Sequence, residues 1–195
     1  MSSDFGVCQP RIALSISHHF HNKENRAPLY YNPKTNTSSN TWAMGSGFQP
    51  VSLTLQAFVN HVTSGKAWTP GIFRGARRRE NLRSAHLLAL DFDHNMSVER
   101  ALNIPFIRQY AFLIYPSPSS TPDAPRSRVV FLLSEPVSHA KQWEALQRGL
   151  IDHLEEYEPD RACKDASRMY YGSTVSGAYT NFEAVLPLEI AGQLT

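Results

Sequence analysis

An α+β fold built on a largely antiparallel or mixed sheet is predicted by three observations along the 195 residues. Short apolar runs of strand length recur at 87–92, 110–115, 129–133 and 169–171. Two other segments, beginning near Ser52 and Ser138, space their apolar residues at helical intervals. The two patterns mix without the strict strand–helix alternation that builds a parallel sheet.

The elements follow in order. Residues 22–50 are rich in Asn, Ser, Thr, Pro and Gly and read as loop, with a short strand at 29–31. Ser52 is placed to cap a helix carrying Leu55, Phe58, Val59 and Val62, and Gly65 to stop it. An arginine-rich stretch then precedes the buried strand at 87–92. Ser97 caps a brief helix reaching Leu102, and 110–115 is a second buried strand. Pro116, Pro118, Pro122 and Pro125 mark the loop after it. A third strand, 129–133, leads to the clearest helix, opened by Ser138, with Trp143, Leu146, Leu150, Ile151 and Leu154 on one face and Pro159 at its end. A last strand is expected at 169–171 against Gly172, and the tail beyond Asn181 reads as strand or loop.

Composition narrows the class. An apolar fraction of 42% supports a packed core. No run approaches the roughly 18 apolar residues of a membrane span, and the first ten residues have no secretory pattern. Cys8 and Cys163 are the only cysteines, which fits a reduced cytoplasmic setting and excludes a structural zinc held by cysteines alone. The net charge of +2 says little, but its distribution says more. Arg74, Arg77, Arg78, Arg79 and Arg83 crowd around a single Glu80, whereas Asp152, Glu155, Glu156, Glu158 and Asp160 form an acidic run. Such asymmetry directs attention to a polyanion-binding face, against the plainer reading of two solvated surfaces.

Three short motifs carry chemistry. In Leu87-Leu88-Ala89-Leu90-Asp91-Phe92-Asp93 an apolar strand ends in acids at i and i+2, which face the same side. Like charges so close repel unless a cation lies between them. A hard divalent ion, Mg²⁺ or Mn²⁺, meets that need. Removing either acid is then expected to hold or raise stability without metal. Asp160 lies past a helix end, where its charge meets an unfavourable dipole, so a shared metal is expected to compensate it. Arg168 opens the strand expected after it. Arg126 and Arg128 flank Ser127 at the mouth of another strand, as paired guanidinium groups suited to phosphate. Each motif also has a plain reading, as a polar strand end or a loop salt bridge.

In order and spacing, residues 71–172 resemble the archaeo-eukaryotic primase superfamily, in the primase-polymerase branch of plasmids, phages and other mobile elements. The apolar-run-DxD motif corresponds to Asp91 and Asp93, the Ser-x-His-type motif to Arg126-Ser127-Arg128, and the third motif to Asp160 with Arg168. The resemblance implies a primase-polymerase catalytic fold, with an RRM-like palm sheet flanked by helices. It implies one catalytic domain over 1–195, with an N-terminal subregion 1–70 and a palm-like region 71–195, and leaves room for a longer protein with a helicase domain or partner.

It further implies template-dependent nucleotidyl transfer, with Asp91, Asp93 and Asp160 holding two Mg²⁺ or Mn²⁺ ions. Arg126, Ser127, Arg128 and Arg168 would bind the nucleoside triphosphate. Arg74, Arg77, Arg78, Arg79 and Arg83 would track a DNA template or primer. Arg128 replaces the family's usual histidine, as a permanent cation expected to touch the triphosphate. No cysteine-rich zinc element is present, so extension is better supported than initiation without a primer.

Readings from other classes stay open. A haloacid-dehalogenase-type phosphotransferase also uses DxD, but near the start of its domain rather than at mid-chain and before His94-Asn95-Met96. A rolling-circle nuclease is suggested by His19-Phe20-His21 with Tyr170 or Tyr171. The polar Asn22-Lys23-Glu24-Asn25 that follows makes a loop histidine cluster the better reading. A non-catalytic nucleic-acid-binding module is disfavoured by the cost of buried acids without a metal.

Overall fold

The structure, a computed structural model, describes residues 11–20, 30–32, 37–39 and 47–195. Its strands are β1 (Arg11–Phe20), β2 (Tyr30–Asn32), β3 (Thr37–Ser39), β4 (Phe48–Thr54), β5 (Lys66–Thr69), β6 (Gly71–Phe73), β7 (Leu82–Phe92), β8 (Ala111–Pro116), β9 (Ser127–Val137) and β10 (Tyr179–Thr180). The helices are α1 (Leu55–Thr63), α2 (Val98–Leu102), α3 (Pro105–Tyr110), α4 (Ala140–His153) and α5 (Leu188–Gln193). The principal sheet has the order β10-β8-β9-β7-β6, and a smaller one the order β4-β1-β5. Every ladder between these strands is antiparallel, and helices flank the principal sheet. The α+β expectation holds.

The centre of the sheet reads as a near-continuous apolar run because both of its faces are covered. In β7, exposure alternates near Arg83 and stops from Leu87 onward. β1 lies against β6 and β7, while α4 packs on β7 and β9, and α2 and α3 on β8 and β9. One core joins Ile12, Leu14, Phe58 and Trp68 to Leu88, Phe112, Val130, Trp143 and Leu150.

β6 pairs only with the first part of β7, through Ala85, so beyond that the β7 edge needs other partners. Gln147 on α4 supplies them like a strand, accepting from the Ala89 N–H at 3.3 Å and donating to the Ala89 carbonyl at 2.7 Å. The Trp143 indole donates to the Leu87 carbonyl at 2.9 Å, and the Tyr170 hydroxyl to Ala89 at 3.0 Å. A buried glutamine beside Trp143 and Leu150 on the apolar face of α4 was the sequence signal of this role.

Several elements differ from expectation. β1 was not foreseen, although Ile12, Leu14 and Ile16 alternate as in a half-buried strand. Ser52 lies within β4, paired with Ala13, and the cap of α1 is Thr54, whose hydroxyl accepts from the Ala57 N–H at 3.1 Å. Tyr110 ends α3 instead of opening a strand. Residues 169–171 form no strand: Tyr170 makes a single bridge to Trp68. Gly172 fits because a Cβ there would come within 2.3 Å of the Val62 carbonyl. His19 falls in β1 and not in a loop, while His21 lies outside the described residues. The tail adds β10 and α5.

Candidate active site

The register of the principal sheet builds the site. β7 and β9 set Asp91 opposite Arg128, and β8 sets Tyr115 on the other side of Arg128. Asp91 is 6% exposed and Arg128 5%. Nε of Arg128 donates to Oδ1 of Asp91. Nη1 donates to the Tyr115 hydroxyl at 2.9 Å and to the Tyr171 carbonyl. The guanidinium carbon lies 4.8 Å from the centre of the Tyr170 ring.

Tyr115 is fixed in turn, accepting from the Trp68 indole and donating to the Tyr171 carbonyl, both at 3.0 Å. Burial opposes the charge on Arg128, but Asp91 and Tyr115 outweigh it, and its pKa lies above the usual arginine value. Burial also raises the Tyr115 and Tyr170 hydroxyls, which remain neutral donors.

Asp160 is brought to Asp91 by the backbone, since its N–H donates to the Asp91 carbonyl at 2.8 Å. It caps a short 3₁₀ turn (Arg161–Lys164), with Oδ1 accepting from the Ala162 N–H at 2.8 Å. Its charge therefore faces the favourable end of a helical turn, and the dipole argument for a metal does not apply. Nη2 of Arg168 reaches Oδ2 of Asp160 at 2.6 Å and Oδ2 of Asp91 at 3.3 Å. Arg168 lies in no strand. The compensation expected of a cation between acids comes here from Arg128 and Arg168.

Cys163, unnoticed in the sequence as a site residue, is fully buried, with its sulfur within 4.8 Å of oxygens of Asp91 and Asp160. Burial, assisted by Asp91, pushes its thiol up to about 12. Cys163 should consequently resist iodoacetamide in the native protein at pH 8 and react on unfolding, as peptide mapping would read. Rapid native labelling would contradict this placement.

Asp93 stands beyond the end of β7 with its side chain 52% exposed and Nη1 of Arg126 3.9 Å away. Among the described residues it does not join the Asp91–Asp160–Cys163 group. Ser127 pairs with Phe92, one step from the Asp91–Arg128 rank, so alternation turns it to the opposite face. Among the described residues, the buried Ser127 Oγ, Ser117 Oγ and Arg126 Nε find no hydrogen-bond partner. A cavity of about 510 Å³ adjoins, lined by His94, Ile151, Glu155, Glu158, Pro159 and Arg161.

The donor chemistry fits a hard divalent ion at Asp91 and Asp160. Carboxylate oxygens have spare lone pairs, and the two acids converge. Cys163 offers a soft sulfur, which suits such a hard ion poorly.

The arginine run divides. Arg79 forms a two-pronged pair with Glu144 on α4, at 2.6 and 2.8 Å. Arg77 is partly buried against the Phe48 ring at 5.2 Å, with burial lowering its pKa. Arg74, Arg78 and Arg83 are exposed. On the expectation that the run tracks a DNA backbone, replacing those three by alanine should reduce the slope of log K against log salt by roughly 0.7–0.9 for each phosphate no longer neutralised. Titration at several ionic strengths checks this, and an unchanged slope would assign the run to solvated surface.

Among the described residues no helix is long and apolar enough to cross a membrane. Among curated proteins none matches the chain. Among solved structures it is similar to the AEP domain of the primase-polymerase of cyanophage S-2L, at 13% identity and a TM-score of 0.48, over 94% of this chain and 86% of that one. The family described as the VapE N-terminal domain matches residues 52–186, a span that includes Asp91, Arg128, Asp160 and Arg168. With most of its length matched, the chain belongs to the VapE N-terminal domain family.

Proposed function

We propose that this protein is a template-dependent nucleotidyltransferase of primase-polymerase type, extending a DNA strand from nucleoside triphosphates. The carrying observation is the convergence of Asp91, Arg128, Asp160 and Arg168, separated in sequence, at one end of the principal sheet. Asp91 and Asp160, with Asp93 beside them, would hold Mg²⁺ or Mn²⁺, which would supply charge neutralisation at the reacting phosphate and activation of the attacking hydroxyl.

The remaining roles belong to the chain. Arg126, whose side chain is 32% exposed, presents its guanidinium at the mouth of β9 to bind phosphate oxygens. Arg128 fixes the orientation of the Asp91 carboxylate, and Tyr115 fixes Arg128. Exposed Arg74, Arg78 and Arg83 are the best candidates to meet a nucleic-acid backbone.

Primer extension with labelled nucleotides, with and without primer, in Mg²⁺ and in Mn²⁺, tests the proposal. Asp93→Ala is the informative variant, because an exposed acid can be removed with little loss of stability. Incorporation should fall by about a hundred-fold or more, with an unchanged denaturation midpoint. Full activity of this variant would remove Asp93 from the site, and no incorporation by the unaltered protein would remove the enzymatic reading.

A non-catalytic nucleic-acid-binding module is the second reading, favoured by one observation. Arg128 and Arg168 already neutralise Asp91 and Asp160, so the cost of burying these acids does not by itself demand a metal. DNA binding without incorporation in any metal would favour it.

A further inference from the structure

We infer that Arg168 is a displaceable counter-ion, holding the two carboxylate oxygens that a divalent cation would need and yielding them when the cation arrives. The inference rests on the metal-dependent reading above and deepens it.

The oxygens divide into two kinds. Oδ1 of Asp91 is taken by Arg128 and Oδ1 of Asp160 by the Ala162 N–H. The remaining pair, Oδ2 of each acid, converges on one atom, Nη2 of Arg168, at 3.3 and 2.6 Å. A single charged nitrogen thus occupies the position between the acids. A divalent ion held by these two acids and this charged nitrogen would repel each other, so the two states exclude one another.

Arg168, and not Arg128, is the group able to leave. The Arg128 side chain is 7% exposed and bound at Asp91, Tyr115 and the Tyr171 carbonyl, with Tyr170 across its face. The Arg168 side chain is 25% exposed, and both of its ion pairs pass through Nη2. It also makes a looser contact with the Tyr170 ring, at 5.9 Å. Once released, its guanidinium remains beside the site as a permanent cation that suits a phosphate. Metal binding and triphosphate binding would then favour one another, each stabilising the conformation with Arg168 turned away from the acids.

Mn²⁺ binding to the full chain without nucleotide, followed by electron paramagnetic resonance, is the test. R168Q should bind Mn²⁺ about ten-fold more tightly than the unaltered protein, since it lacks the competing charge-assisted contacts. Adding a nucleoside triphosphate with a non-hydrolysable α–β linkage should raise its affinity by less than it raises that of the unaltered protein. Equal or weaker Mn²⁺ binding by R168Q, in a protein that does bind Mn²⁺, overturns the inference and leaves the polymerase reading standing. Absence of Mn²⁺ binding in both proteins overturns the metal-dependent reading and this inference together. Should R168Q not fold, the ¹⁵N guanidinium signal of Arg168 in the unaltered protein decides: a shift on adding Mg²⁺ supports displacement, and a signal unmoved at saturation refutes it.

Discussion

Asp91→Ala is expected, on the proposed polymerase reading, to abolish nucleotide incorporation, and also to destabilise the fold by about 3–5 kcal/mol, the range for breaking one partner of a buried pair. The stability effect reverses what the sequence suggests, where two adjacent acids repel and losing one brings relief. In the structure Asp91 is the counter-ion of Arg128, with side chains 9% and 7% exposed. Removing the carboxylate leaves Arg128 charged in a site that water barely reaches, and removes one of the two ion pairs of Arg168. Urea denaturation beside primer extension measures both effects. An Asp91→Ala protein as stable as the unaltered one would mean that the pair does not form in solution.

Arg128→Ala carries the second large effect. By resemblance Arg128 should touch the triphosphate, in which case its loss would raise the nucleotide KM and spare stability. The structure instead encloses its guanidinium among Asp91, Tyr115, Tyr170 and Tyr171. The expected result is a loss of about 3–5 kcal/mol, with Asp91 left buried and partly unpaired. Arg128→Lys should recover only part, because an ammonium cannot serve Asp91, Tyr115 and the Tyr171 carbonyl from one planar fork.

The paired replacement Asp91→Leu with Arg128→Met separates the roles further. It should regain much of the stability that either single change removes, since it leaves no buried charge unpaired, while remaining inactive. Denaturation midpoints of all the variants, primer extension by the paired variant and the nucleotide KM of Arg128→Ala check this. A stable Arg128→Ala protein with a raised nucleotide KM alone would return Arg128 to the phosphate site.

What the sequence determined by itself was the local grammar. Apolar runs at 87–92, 110–115 (less Tyr110) and 129–133 became the centre of the sheet because strands covered on both faces must be apolar throughout. The helical spacing of Trp143, Leu146 and Leu150 became α4 for the same reason of burial. The acids at Asp91 and Asp160 and the arginines at Arg128 and Arg168 were also legible, as charges set at the ends of apolar segments.

Only the tertiary structure decided which charges meet. Cross-strand register made Asp91 and Arg128 partners, turned Ser127 to the other face, and left Asp93 beyond the strand. The hydrogen bond from the Asp160 N–H to the Asp91 carbonyl brought together acids far apart in the chain, and Tyr115, Tyr170 and Cys163 entered the site only through packing. A periodic pattern states which side of an element is buried, but not what lies opposite. The sign of a charge's effect on stability depends on that neighbour, so Asp91 reads as a source of repulsion in the sequence and acts as a counter-ion in the fold.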